Sequence, residues 1–201
     1  MTITAADLIP YAEYERVRNQ VRQAVIARKQ RRRIAIGDRV TLVFENRETV
    51  QFQIQEMIRA ERIVDPSKVQ EELDVYNQLL PTPGELSATL FIEIPNEADI
   101  KAELDAFMGI DRGETLAIYI GQGRIFARFE SGHSNEEKIS AVHFVRFALP
   151  AGLAARLSDE KEPVSLTLTH GRYRASAPVP AALRAEWLSD LEAAEKDRAL
   201  P

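Results

Sequence analysis

The spacing of apolar residues changes period several times along this chain, and each change predicts an element. From Pro10 to about Arg31, Tyr14, Val17, Val21 and Val25 recur three and four apart, the single stripe of an amphipathic helix. After a turn at Gly37–Asp38, Val40, Leu42 and Phe44 alternate with polar neighbours, which predicts a strand. The next run fits two periods, because Val50, Phe52 and Ile54 also alternate. Gln, Glu, Met and Arg carry it on without a turn residue until Asp65–Pro66, and this favours a helix with Asn46 as N-cap and Glu48 in its first turn. Pro66 and Ser67 open another helix to about Gln78, with Val69, Leu73, Tyr76 and Leu80 as its apolar side. The sequence PTPG, Pro81 to Gly84, then separates a helix-rich half, 1–83, from a strand-rich half, 84–201.

In the second half Leu86 to Ile94 alternates, with Leu90, Ile92 and Ile94 on one face and Phe91 and Glu93 on the other. Asn96 predicts the cap of a helix ending near Met108, with Gly109 as its stop. Leu116, Ile118 and Ile120, the turn at Gly121 to Gly123, and Ile125, Ala127 and Phe129 read as a hairpin. Ser131 to Lys138 is a polar loop, and Ile139 to Ala148 is a strand with apolar residues on both faces, hence covered on both sides. Pro150 starts a short helix to about Ser158. Val164, Leu166 and Leu168 pair across His170–Gly171 with Tyr173 and Ala175, and Pro180 opens a last helix with Leu183, Trp187, Leu188 and Leu191 inward. The tail after Ala194 reads as frayed. These elements predict a single α+β domain over residues 1–201, with a mostly antiparallel or mixed sheet of about six or seven strands against the N-terminal helices.

Composition narrows the chemistry. The chain has 201 residues, 45% hydrophobic and 28% charged, the profile of a globular protein with room for a sizeable core. A net charge of −5 argues against non-specific nucleic-acid binding, and the 7% aromatic content offers no basic–aromatic strip for single strands. With no cysteine, thiolate catalysis, disulfides and cysteine-ligated metals within this chain are excluded. The opening MTITAADLIP has neither a basic n-region nor an apolar h-region, and no run reaches the roughly 20 apolar residues of a membrane helix, so a cytoplasmic location is expected. Walker, Rossmann and GxSxG fingerprints are absent, and Ser131–His133–Ser134 is the one local Ser/His grouping.

The run FENRETVQFQIQEMIRAERI, followed by ELDVYNQLLP, ATLFIEI and EKISAVHFVRF, resembles the bacterial domain of unknown function 3501 family over about the first three quarters of the chain. The resemblance implies a genomic setting beside rubrerythrin-like and heterodisulfide-reductase-like iron–sulfur proteins. It therefore implies an accessory protein of a redox gene cluster, acting through contacts with such partners.

Two sets of residues carry the site expectations. Gln51, Gln55 and Arg59, along one side of the second helix, form a polar ligand-binding set. Glu56, Glu61, Glu93 and His143 form a metal set, since a histidine with two or three carboxylates is the ligand group of non-haem iron or manganese. Their spacing contains neither HxxxH nor ExxH, so such a site would assemble from distant segments. The plainer readings are a core histidine bonded to a backbone carbonyl or a carboxylate for His143, and an ion pair with Arg47 or Arg146 for Glu61. His133 and His170 read as surface turn residues. The basic run RKQRRR, Arg28 to Arg33, reads either as cations complementing a helix end or as a patch for an acidic partner. The sequence leaves open whether the protein is an enzyme, and whether it forms a homodimer.

Overall fold

The computed structural model describes residues 2–130 and 139–198. A 3-10 turn, Ala5–Asp7, precedes α1 (Tyr11–Arg31), and a hairpin of β1 (Arg33–Ile36) and β2 (Val40–Glu45) follows. Then come α2 (Arg47–Ala60), α3 (Pro66–Asn77) and β3 (Glu85–Ile92). After a second 3-10 turn, α4 (Ile100–Asp105) leads to β4 (Leu116–Ile120), β5 (Gly123–Phe126) and β6 (Arg128–Phe129). The chain continues through β7 (Val142–Ala148), α5 (Ala151–Arg156), β8 (Val164–His170), β9 (Tyr173–Pro178) and α6 (Ala181–Arg198).

The strands build two sheets, with orders β1-β2-β3-β7-β6 and β5-β4-β8-β9, and all pairs are antiparallel. The fold is thus α+β and antiparallel as the pattern predicts, but its strands divide between two stacked sheets. The reason lies in Ile125 to Phe129, which alternates like one strand. Ala127 still donates to the Leu116 carbonyl, at 2.8 Å, and then Arg128 and Phe129 leave to pair with Arg146 and Val145 of β7. Local alternation specifies an extended chain and not its partner. The short β1, which follows the arginine run directly, is likewise set by its register against β2 (Ile34 opposite Leu42, Ile36 opposite Val40).

The main core lies between the sheets. Val40, Leu42 and Phe44 of β2, Leu86, Ala88 and Leu90 of β3, and Val145 and Phe147 of β7 meet Leu116, Ile118, Leu166 and Leu168 of the second sheet. Helix α6 adds Leu183, Trp187 and Leu191, as its predicted inward face requires. Trp187 is fully buried and packs on Phe44 with ring centroids 4.6 Å apart. The sheet edges also meet. The Tyr173 hydroxyl donates to the Ile36 carbonyl at 2.5 Å and accepts from the Arg39 N–H at 3.2 Å. Gly37, at φ +75°, makes the β1–β2 turn against the Tyr173 ring, where a Cβ would collide.

All six residues of β2 are buried, because its other face is covered as well. Helices α2 and α3 carry a second cluster of Val50, Ile54, Ile58 and Leu73, completed by Leu79 just after α3 and Ile3 from the N-terminal segment and bordered by Phe144 of β7. Asn46 caps α2 as the sequence predicts, its side chain accepting from the Thr49 N–H at 3.0 Å. Helix α6 continues to Arg198, beyond the point where a frayed tail is expected from the sequence.

Replacing Trp187 by alanine removes the largest fully buried side chain and is expected to cost about 3–5 kcal/mol in denaturant unfolding. Trp187→Phe is expected to cost clearly less, since the indole N–H it gives up has no acceptor among the described residues. Equal losses for the two variants would contradict this account of the core.

Candidate functional site

The polar side of α2 faces the protein's own N-terminal segment and α1. Gln55, only 5% exposed, grips Ile9 at two points: its Oε1 accepts from the Ile9 N–H at 2.9 Å and its Nε2 donates to the Ile9 carbonyl at 3.0 Å. Gln51 donates to the Asp7 carbonyl at 2.6 Å, and Arg59 pairs with Glu15 at 2.8 Å. Glu56 accepts from Arg18, at 2.8 and 2.6 Å, and from the Tyr14 hydroxyl at 2.7 Å. The Arg18 hydrogen bond holds the Glu56 carboxyl below its usual value against the opposing effect of burial, with Tyr14 assisting. Burial, with Glu56 beside it, pushes the Tyr14 hydroxyl above its ordinary range. A polar ligand set read from the sequence is therefore, in three dimensions, the clasp between α1, residues 2–9 and α2.

The four candidate metal ligands are not brought together. Glu61 is the exposed C-cap of α2. Arg47 and Arg146, the ion-pair partners expected for it, bind Asp7 and Glu85 with Glu130 instead. Glu93 is exposed beyond β3, bonded to Arg33 at 2.5 Å and to the Thr41 hydroxyl at 2.9 Å. His143 is buried, with Nε2 2.9 Å from the Ser140 carbonyl and its ring edge-on to Phe129. Alternation along β7 sets the separation. His143 lies opposite Leu90, on the face that holds the main core, whereas Phe144 faces α2 and α3. The sheet itself stands between His143 and Glu56. Among the described residues no group of three or more His, Asp or Glu could hold a metal ion. His170 is half-buried rather than a surface residue, with Nε2 3.0 Å from the Met108 carbonyl and its ring stacked on Phe107. The Ser131–His133–Ser134 grouping falls outside the described residues.

Arginines of the basic run pair with the protein's own carboxylates. Arg28 pairs with Glu48, Arg31 with Glu186 and Arg33 with Glu93. Arg32 is fully buried. Its guanidinium donates to Glu186 at 2.8 Å, to both oxygens of Asp190, and to the backbone carbonyls of Phe44 and Glu45. Sequence reading missed this network, because Arg32 and Asp190 are 158 positions apart and nothing local marks either one. Burial raises the Asp190 carboxyl above its ordinary value despite Arg32. Glu186, nearer solvent, is held below its ordinary value: burial opposes the shift, and Arg31 and Arg32 together outweigh it.

Asp190 forms part of the wall of a groove of about 600 Å³. One side is the start of α2, with Asn46, Arg47 and Glu48, beside Arg28 from the end of α1. The other side is α6, with Ser189, Ala193 and Ala194, and the chain break at Leu80, Pro81 and Pro83 closes the end. Arg146 fixes that break by donating to the carbonyls of Gln78 and Leu80. The groove thus combines two arginines, a mostly buried carboxylate and an apolar wall, in the volume range of ligand sites.

Fold and site together define an α+β protein of two stacked antiparallel sheets with a helical cover and a lateral polar groove. The sequence matches the family model described as "Protein of unknown function (DUF3501)" over residues 2–191, and the chain belongs to this family. A crystal structure of a novel protein of unknown function from Burkholderia pseudomallei is similar to it, at 34% identity and a TM-score of 0.87, covering 95% of this chain and 100% of that one. No curated protein matches the sequence. Among the described residues no helix is long and apolar enough to cross a membrane.

Two expectations follow. A carboxylate whose pKa falls on folding stabilises the fold above its unfolded value and loses that contribution as the pH falls. The stability gap between the wild type and Glu56→Gln is therefore expected to be widest near neutrality and to close as the pH drops below the ordinary 4.5, in urea titrations at successive pH values. A gap independent of pH would contradict the clasp. Arg32→Met leaves Glu186 and Asp190 without their shared cation and is expected to cost about 3–5 kcal/mol by the same measurement.

Proposed function

We propose that this is an accessory protein that acts by binding, with the groove between α6 and the start of α2 as its working site. The observation that carries this reading is the groove's composition. Asp190 is nine-tenths buried yet lies in a wall beside Arg28 and Arg47, whose own acidic partners, Glu48 and Asp7, are 57% and 31% exposed. Exposed ion pairs of this kind contribute little to stability and exchange readily for a ligand. A carboxylate kept at low exposure beside a cavity and shifted by burial is a frequent mark of a functional site. The family context supports the partner class, a rubrerythrin-like or iron–sulfur protein of a redox gene cluster. The scattered placement of Glu56, Glu61, Glu93 and His143 gives no matching support to a non-haem iron or manganese centre.

The test is anaerobic co-purification with tagged wild type and with Ala193→Arg, which fills the groove from α6 and leaves the core untouched. A rubrerythrin-like or iron–sulfur protein, identified by mass spectrometry, is expected with the wild type and lost from the variant. Equal recovery from both, or from neither, would overturn the reading.

A further inference from the structure

Taking the groove as the working site, we infer that it binds a free α-amino acid with an apolar side chain, its carboxylate on Arg47 and its ammonium on Asp190. Three observations on the groove support this chemistry independently of one another.

The first is an open donor. Arg47 sends one terminal nitrogen to Gln51, at 3.2 Å, and another to Asp7, at 2.7 Å, while its buried Nε has no acceptor among the described residues. An incoming carboxylate that displaces Asp7, itself 31% exposed, takes over its contact and supplies that Nε with an acceptor, in the planar two-point geometry that guanidinium and carboxylate share. Arg28, whose partner Glu48 is still more exposed, adds a second cation on the same wall.

The second is an open acceptor. Asp190 Oδ2 is anchored by Arg32, but Oδ1 has only long contacts, 3.3 Å to Arg32 and 3.5 Å to the Asn46 amide. An ionised carboxylate has about four lone-pair sites, so Oδ1 retains capacity for an ammonium donor. The charged groups around Asp190 are Arg32 and Glu186, with Asn46 as its neutral neighbour. Arg32 fixes the carboxylate in place, and an ammonium restores to the wall the positive charge that Arg32 shares with Glu186.

The third is the wall between these ends. Leu80, Pro81, Pro83, Ala193 and Ala194 give an aliphatic surface with no charge of its own, which fits an apolar side chain better than a charged one. An inorganic anion would engage the arginines alone and meet Asp190 as a like charge. A simple amine would engage the carboxylates of Asp190 and Glu48, leave the Arg47 Nε without an acceptor and meet Arg28 and Arg47 as like charges. A ligand carrying both charges engages Arg47 and Asp190 together.

The experiment uses the full chain at neutral pH and follows binding by calorimetry, with thermal shift as a second readout. The probes are leucine, valine, N-acetylleucine and leucinamide. Leucine or valine is expected to bind saturably, and removing either charge from the ligand is expected to weaken binding by about tenfold or more. Arg47→Gln and Asp190→Asn are expected to have the same effect, with circular dichroism checking that each remains folded. The ligand comparison on the wild type requires no variant, so a folding defect in Asp190→Asn leaves the test intact. No saturable binding of leucine or valine at millimolar concentration, or N-acetylleucine binding as tightly as leucine, would overturn the inference. Loss of the protein partner in Ala193→Arg without any amino-acid binding would remove the ligand and leave the proposed function standing. Amino-acid binding without a groove-dependent partner would do the reverse.

Discussion

A fully buried guanidinium ties this molecule together. Arg32 sits where α1 ends and β1 begins, and its donors reach the carbonyls of Phe44 and Glu45 at the end of β2 and the carboxylates of Glu186 and Asp190 on α6. Burying an unpaired charge would cost several kcal/mol, so these acceptors are a condition of the fold and not an addition to it. Through them the first helix, the central hairpin and the last helix acquire fixed relative positions. Trp187, next to Glu186 and about one turn from Asp190 on the same helix, then reaches Phe44 in the main core. The groove wall inherits its geometry from this constraint, since Asp190 is held by Arg32.

The same principle governs the helical cover. α2 is rich in Gln, Glu and Arg, a composition that on an isolated helix reads as solvated surface. Here the amides of Gln55 and Asn77 each bind both the N–H and the carbonyl of one residue in the N-terminal segment, Ile9 and Ile3 respectively. Backbone groups outside regular structure need partners when they are covered, and these side chains supply them. Ile3 can then complete the second core between α2 and α3. Polar residues that look like a binding surface are thus engaged within the protein, and the cations Arg28, Arg31, Arg32 and Arg33 are paired with its own carboxylates, Arg32 alone among them being buried. Where α6 passes the start of α2, Arg28, Arg47 and Asp190 line an open groove.

Much of the architecture was legible from residue patterns. The Pro10–Arg31 stripe, the Asn46 cap, the break at Pro81–Gly84 and the paired alternations at Val164–Leu168 and Tyr173–Ala175 all lie at the elements observed. The ambiguous run Val50–Ile54 is helical, as its continuation without turn residues indicates. Less was legible about the site. Glu61 follows α2 in a run without a turn residue, but the helix ends at Ala60 and leaves it as an exposed cap. His143 lies on β7 and Glu93 just past the end of β3. The strands are adjacent, yet the side chains leave on opposite faces, His143 with Leu90 and Glu93 with Thr41.

By itself the sequence determined which segments are helical or extended, which faces of them are apolar, where the chain turns and to which family it belongs, because each of these depends on residues within a few positions of one another or on the order of motifs. Only the tertiary structure decided that the strands form two sheets, that Arg32 meets Glu186 and Asp190, and that Gln51, Gln55 and Glu56 face the chain's own N-terminal region. These outcomes depend on which surfaces meet across long separations. The free energy of burying a charge or a backbone amide is set by the partner found there and not by the neighbours in sequence.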